Sequence, residues 1–163
     1  MTYMKKQTQF IGRSLFWLGW PGLWALSRLA KKRSRIIVVC GNEVLLLKDW
    51  LGPGKWTLPG GGIKLGEDSR LGAIRELKEE TGLIVTNSAM KFYRQFTSVK
   101  HTGMNFDCEV YYTKFAAKPQ LKLHPLEIAE ARWVTFSKLH LYPTNNAARV
   151  ILEAFRQDHD LLK

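Results

Sequence analysis

At 163 residues the chain has room for one domain with a full hydrophobic core. Hydrophobic residues make up 45% and charged residues 24%, a balance that excludes disorder over most of its length. The net charge of +11 is unevenly placed: residues 1–35 hold eight lysines and arginines and no acid, leaving +3 for the rest. The basicity therefore describes an N-terminal arm rather than the domain. Such an arm suits a polyanion, either anionic lipid or nucleic acid, or simply flanks a helix with solubilising charge.

The composition divides the chain near Arg33, into a basic, Trp/Leu-rich helical arm over 1–34 and a domain over 35–163. Within the arm, Pro21 interrupts helical geometry and biases Trp20 away from it, so two short helices with a bend around Trp20 to Gly22 are expected. The apolar run is about the length of a membrane span, but Arg13 and Arg28 lie inside its ends. Three readings stay open. Residues 5–35 lie on an anionic membrane surface, with tryptophans at headgroup depth. Alternatively the helices pack on the domain or on a second copy, making a homodimer. The third is a spanning or signal segment, which Lys5 and Lys6 would introduce but which lacks a small-residue cleavage site. The first reading implies a cytoplasmic protein peripheral to the inner face of the membrane. Cys40 and Cys108, without metal-ligand spacing, read as buried thiols in a reducing compartment.

From Arg35 the pattern is α/β. Ile36 to Cys40 and Val44 to Lys48 read as strands joined at Gly41-Asn42, a hairpin signal. Trp56 to Leu58 is a short strand ending at Pro59-Gly60-Gly61-Gly62, and Glu67 to Thr81 is a helix stopped by Gly82. Residues 83–98 and 105–116 are β-rich, with a turn around His101 to Gly103. Ala131 to Phe136 is a further strand. A closing helix runs from Asn145 to Asp158, with Thr144 as its expected N-cap.

The chemistry is concentrated between Gly61 and Leu83. Helical positions advance about 100° each, so Leu71, Ile74 and Leu77 share one face and Glu76, Glu79 and Glu80 the roughly opposite one. The first face suits the core; the second is expected to face outward as a ring of carboxylates. Like charges at this spacing repel by a few tenths of a kcal/mol per pair, which a bound cation would relieve. Hard oxygen ligands on one helix face suit Mg²⁺, with Mn²⁺ as a substitute. Arg75 stands four residues before Glu79 and can orient that carboxylate. The glycines let backbone approach metal and phosphate, and Gly82 is placed to cap the helix.

Gly61, five residues, Glu67, seven residues, then Arg75-Glu76-Leu77-Lys78-Glu79-Glu80-Thr81-Gly82-Leu83 resembles the Nudix box, matching all nine of its fixed positions. The resemblance extends loosely over residues 35–158. It implies an α/β fold, an α/β/α sandwich around a mixed β-sheet, preceded here by the helical arm. It also implies Glu76, Glu79, Glu80 and the carbonyl of Gly60 as metal ligands, with Gly61 in the loop and Glu67 supporting the loop or a further metal. Glu79 is the expected general base, held by Arg75. Glu76 and the downstream acids Glu127 and Glu130 are its rivals, the last two reading equally well as surface charge before a strand.

The activity implied is Mg²⁺-dependent hydrolysis of the diphosphate linkage in a nucleoside diphosphate derivative. Which derivative is silent in the box. Trp56, Tyr93, Phe96, Phe106 and Tyr111 include candidates for a base-stacking platform, although aromatics in alternating strands are more often core. Arg94, Lys100 and Lys55 are candidate phosphate contacts by charge alone. Two alternatives remain: removal of diphosphate from an RNA 5′ end, and a non-catalytic nucleotide sensor recruited to a membrane. The arm's Trp/Leu density favours an interface helix over an RNA or other nucleic-acid grip. Retention of all four box glutamates speaks against a sensor.

Overall fold

The computed structural model describes residues 32–50, 53–97 and 107–159. The helices expected before Lys32, the turn at His101 to Gly103, Lys100 and Phe106 lie outside the described residues. Six strands form one sheet: β1 (Lys32–Cys40), β2 (Glu43–Asp49), β3 (Trp56–Thr57), β4 (Lys91–Phe96), β5 (Asp107–Phe115) and β6 (Ile128–Thr135). Among the described residues two helices flank it, α1 (Ser69–Thr81) and α2 (Asn146–Asp158), with a 3₁₀ helix at Phe136–Leu141.

The sheet runs β3-β2-β1-β5-β4, with β6 paired along β2. β1 and β5 are parallel over their whole length and every other pairing is antiparallel, so the sheet is mixed, as expected. Alternate residues of β1 serve opposite faces. Ile37 and Val39 join Leu46, Val110, Ile151 and Phe155 in the core beneath α2. Ile36 and Val38 join Leu45, Leu47, Ala73 and Leu77 beneath α1. The unbroken apolar run Ile36 to Cys40 is thereby explained, since both of its faces are covered. Cys40 and Cys108 are buried free thiols. Among the described residues no helix is long and apolar enough to cross a membrane.

The pairing that positions the site is an interrupted one. β1 and β2 pair only at Val39↔Val44 and Cys40↔Glu43, next to their hairpin turn. Farther along, β2 pairs instead with β3, and the chain after β3 runs beside the vacated edge of β1. Ile36 N donates to Pro59 O at 2.9 Å, Ser34 N to Gly61 O at 3.0 Å and Ile63 N to Lys32 O at 3.2 Å. The first two satisfy β1 donors that would otherwise be orphaned in the interior, the third uses a β1 carbonyl, and together they pin the glycine loop to the sheet.

Several local expectations shift. The first helix begins at Ser69 rather than Glu67, because Asp68 caps it by accepting from Leu71 N at 3.0 Å. Glu67 stays outside the helix and accepts from Lys64 N at 2.8 Å. Asn145, not Thr144, caps α2, accepting from Ala148 N at 2.8 Å. Of the residues expected as β-rich over 83–98, the described ones, 83–97, hold strand only at Lys91–Phe96.

The core face of α1 is also rotated from the expected one. Leu77 is fully buried and Ile74 partly so, but Leu71 is 52% exposed. The buried residues are Gly72, Ala73, Leu77 and Thr81. Packing its small residues inward turns Leu71 out, and it brings Glu76 and Glu80 to the margin of the core. The carboxylates therefore do not form an outward ring: Glu76 and Glu80 are partly buried and only Glu79 is exposed.

Candidate functional site

The glycine loop lies between β1 and α1 with no room for side chains. A Cβ on Gly60 would stand 2.4 Å from Ser34 O, and one on Gly61 would stand 2.5 Å from the Glu76 carboxylate. Gly60 also has φ +123, a conformation that side chains rarely tolerate. Its two backbone polar groups are both taken. The N–H donates to Glu80 Oε2 at 2.8 Å, and the carbonyl accepts from Arg35 Nη1.

Arg75 is the hub of the remaining acids. Its Nε donates to Glu67 Oε1 at 2.8 Å and its Nη2 to Glu67 Oε2 at 3.0 Å, a two-point grip on one carboxylate. Nη1 reaches Glu76 Oε1 at 2.7 Å and Glu79 Oε2 at 3.1 Å, while Nη2 also reaches Gly62 O at 3.1 Å. One guanidinium thus binds three carboxylates and the loop backbone, a task for which an ammonium lacks the geometry.

This arrangement splits the proton affinities of the glutamates. The Arg75 hydrogen bond holds Glu67 down at about 2 against the opposing effect of burial, with Lys64 N–H adding to the lowering. Burial raises Glu76, with the Arg75 hydrogen bond opposing. Enclosure away from water pushes Glu80 up to about 8. The Gly60 N–H and the Arg35 charge resist that rise, and Glu76 and Asp49 add to it.

The expected site residues are therefore placed as follows. Glu67, Arg75, Glu76 and Glu79 are gathered in one network, and Glu80 meets the same loop at Gly60. Glu127 is exposed and near enough to Glu76 to raise its pKa. Glu130 lies on β6 bonded to Arg132. Trp56 is buried core, and Tyr93 packs edge-on against Phe155 at 5.1 Å, with Phe96 partly buried on the same cluster. Tyr111 is buried, its hydroxyl bonded to Glu109 at 2.9 Å. Arg94 pairs with Asp158 at 2.9 Å, and Lys55 is exposed. Two neighbours of the site escaped sequence reasoning, Arg35 and Asp49, each within electrostatic range of Glu80. Their signal is faint: one charge at the head of an apolar strand and one at the tail of another.

The donor set fits a hard divalent cation, since Glu76, Glu79, Glu80 and the Gly60 and Gly62 carbonyls all offer oxygen. Gly61 leaves space for the Glu76 carboxylate against the loop that any side chain would fill. Among the described residues no three acidic, histidine or cysteine side chains form a ready-made metal cage. The described contacts explain this: Arg75 draws Glu76 and Glu79 to itself, and Glu80 turns to Gly60.

The raised Glu80 sets a pH dependence for the metal-free protein. Its folded value of about 8 lies above the ordinary 4.5, so folding favours the protonated form. That contribution is complete below pH 4.5 and is lost as pH rises through 8. Glu67 acts in the opposite sense, contributing above 4.5 and losing its contribution as pH falls through about 2. Thermal melts of metal-free protein should therefore decline between pH 4.5 and 8, and Glu80→Gln should flatten that decline. An equal decline in the variant would assign it to another group.

Comparison with known proteins agrees with this geometry. A family model described as the NUDIX domain matches residues 30–155. Nudix hydrolase 6 of Arabidopsis thaliana is 33% identical over 112 residues, 64% of this chain, which spans only 38% of that relative's length. The NUDIX domain of Shewanella oneidensis NrtR complexed with ADP ribose superposes with a TM-score of 0.68 at 14% identity, covering 89% of this chain and 97% of its own. A bifunctional NMN adenylyltransferase/ADP ribose pyrophosphatase from Francisella tularensis, complexed with AMP and a manganese ion, gives a TM-score of 0.67 at 18% identity, covering 83% of this chain and 44% of its own. These structural likenesses speak for the fold, and the family model supplies the membership. With its box, its mixed sheet and its loop-on-helix geometry, this chain belongs to the Nudix family.

Proposed function

We propose that the chain is a divalent-metal-dependent hydrolase that cleaves the diphosphate linkage of a small nucleoside diphosphate derivative with water. One juxtaposition carries the reading: the carboxylates of Glu76 and Glu80 meet the glycine loop at Gly61 and Gly60, with Arg75 organising Glu67, Glu76 and Glu79 beside them. Glu76, Glu79, Glu80 and the Gly60 carbonyl would hold Mg²⁺, or Mn²⁺ in its place, and Glu67 would brace the loop. When bound, the ion supplies charge neutralisation on the phosphates and a more acidic water.

The chain's own residues do the rest. Gly60 and Gly61 let the loop press between Ser34 and the Glu76 carboxylate, where no side chain fits. Arg75 keeps the acids oriented before substrate arrives, which lowers the reorganisation needed during reaction. Glu79 is 50% exposed and held at 3.1 Å by Arg75, so it can meet water and accept its proton. Glu76 and Glu127 are the rivals for that proton. Glu130, tied to Arg132, stands aside. The ADP ribose bound by the Shewanella domain and the manganese in the Francisella protein support this ligand class and metal class.

The basic arm, expected over residues 5–35 and here confined to the part before β1, adds a partner to this reading, the anionic surface of a membrane, with the domain at its cytoplasmic face. Lys32 accepts from Ile63 N, so the arm enters the domain beside the glycine loop.

Two measurements test the proposal. With a panel of nucleoside diphosphate derivatives including ADP-ribose, Mg²⁺ should be required for phosphate-ester product, and Glu80→Gln should abolish turnover without unfolding. The glutamine oxygen still accepts the Gly60 N–H, so the loop is retained. Binding without turnover on every nucleotide would favour a sensor instead. Removing residues 1–31, which stops short of β1, should leave hydrolysis of soluble substrate intact and abolish sedimentation with anionic vesicles. Unchanged sedimentation would remove the arm as a membrane element.

A further inference from the structure

Arg35 is not a member of the Nudix box, yet its guanidinium occupies the site's backbone oxygen. From β1 its Nη1 donates to the Gly60 carbonyl, while the N–H of the same residue donates to Glu80 Oε2 at 2.8 Å. Its Nε is buried with no hydrogen-bond partner among the described residues, so this placement leaves one strong donor unsatisfied. Its charge stands within range of both Glu80 and Asp49. A cation, an acceptor carbonyl and two acids are thus brought together on the β1 side of the loop, whereas Arg75 serves the other.

We infer that Arg35 is a stand-in cation, holding the Gly60 carbonyl while the site lacks metal and giving it up when a divalent ion binds. The inference rests on the reading of Gly60 and Glu80 as metal ligands. The electrostatics require the exchange. A guanidinium and a divalent ion directed at one carbonyl repel each other, and the enclosed setting screens that repulsion poorly. The ion carries the larger charge and gathers several carboxylates at once, so Arg35 is the partner displaced. The unsatisfied Nε marks this arginine as less firmly held than Arg75, which has a partner for Nε and for both terminal nitrogens.

A second role for Arg35 would be that of a rivet whose only task is to keep the loop in shape. The two roles predict opposite signs. Removing a rivet disorders the carbonyl and weakens metal binding; removing a competitor frees the carbonyl and strengthens it. Arg35 is a positioning residue in either case, and binding of the metal alone tells the two apart.

The experiment is titration of metal-free full-length protein with Mn²⁺, followed by calorimetry and by the electron paramagnetic resonance of free Mn²⁺. Arg35→Met should bind Mn²⁺ more tightly than wild type, by about tenfold if one displaced contact is saved. Arg35→Lys, which keeps the charge, should remain close to wild type. Without metal, Arg35→Met should melt below wild type, and saturating Mn²⁺ should narrow that gap. Equal or weaker Mn²⁺ binding by a folded Arg35→Met overturns the inference. If Arg35→Met does not fold, tighter binding by Arg35→Gln supports it, and equal or weaker binding overturns it. Wild-type protein that binds no Mn²⁺ overturns the underlying metal-site reading instead.

Discussion

The guanidinium of Arg75 directs Nε and both terminal nitrogens at Glu67, Glu76, Glu79 and the Gly62 carbonyl, and the rest of the site takes its shape from that. Three carboxylates in the C-terminal half of one helix would repel, and two of the site acids are already lifted by burial. The arginine converts that repulsion into a structure. It ties Glu67, outside the helix, to Glu76 and Glu79 inside it, and all three to the loop. The acids are thereby held in place before any ligand arrives, at the cost of a site that needs a strong competitor to open.

That arrangement depends in turn on an absence in the sheet. β1 and β2 part after two paired residues, and the loop from Pro59 to Ile63 fills the gap by bonding to β1. Two close approaches follow, Gly60 to Ser34 on the strand side and Gly61 to Glu76 on the helix side. A loop squeezed between a sheet edge and a helix must be built of glycine at these two positions. Loop carbonyls beside fixed carboxylates offer a set of oxygen donors, which suits a divalent metal.

Much of this was legible in the residues. Alternation and turn signals located the strands around the hairpin at Gly41, and the spacing from Gly61 to Leu83 identified the family. The rotation of α1 was not legible. Pattern alone puts Leu71 inside because it is apolar, whereas the helix packs by Gly72 and Ala73, whose advantage is smallness rather than hydrophobicity. That same rotation placed Glu80 against Gly60 instead of in solvent, so its raised proton affinity was invisible in sequence. Arg35 and Asp49 were missed for a related reason. They reach the acids from β1 and β2, and only strand pairing brings those strands to the helix. Asn145 in place of Thr144 at the cap of α2 is a smaller case: both residues can cap, and the bond to Ala148 decides.

The direct test of the account is anomalous diffraction from crystals grown with Mn²⁺. Scattering from the metal should rise in the gap between the glycine loop and α1, touching oxygen of Glu76 and Glu80, with Arg75 still bound to Glu67. Manganese found only at other surfaces, with those two glutamates free of it, would contradict the account.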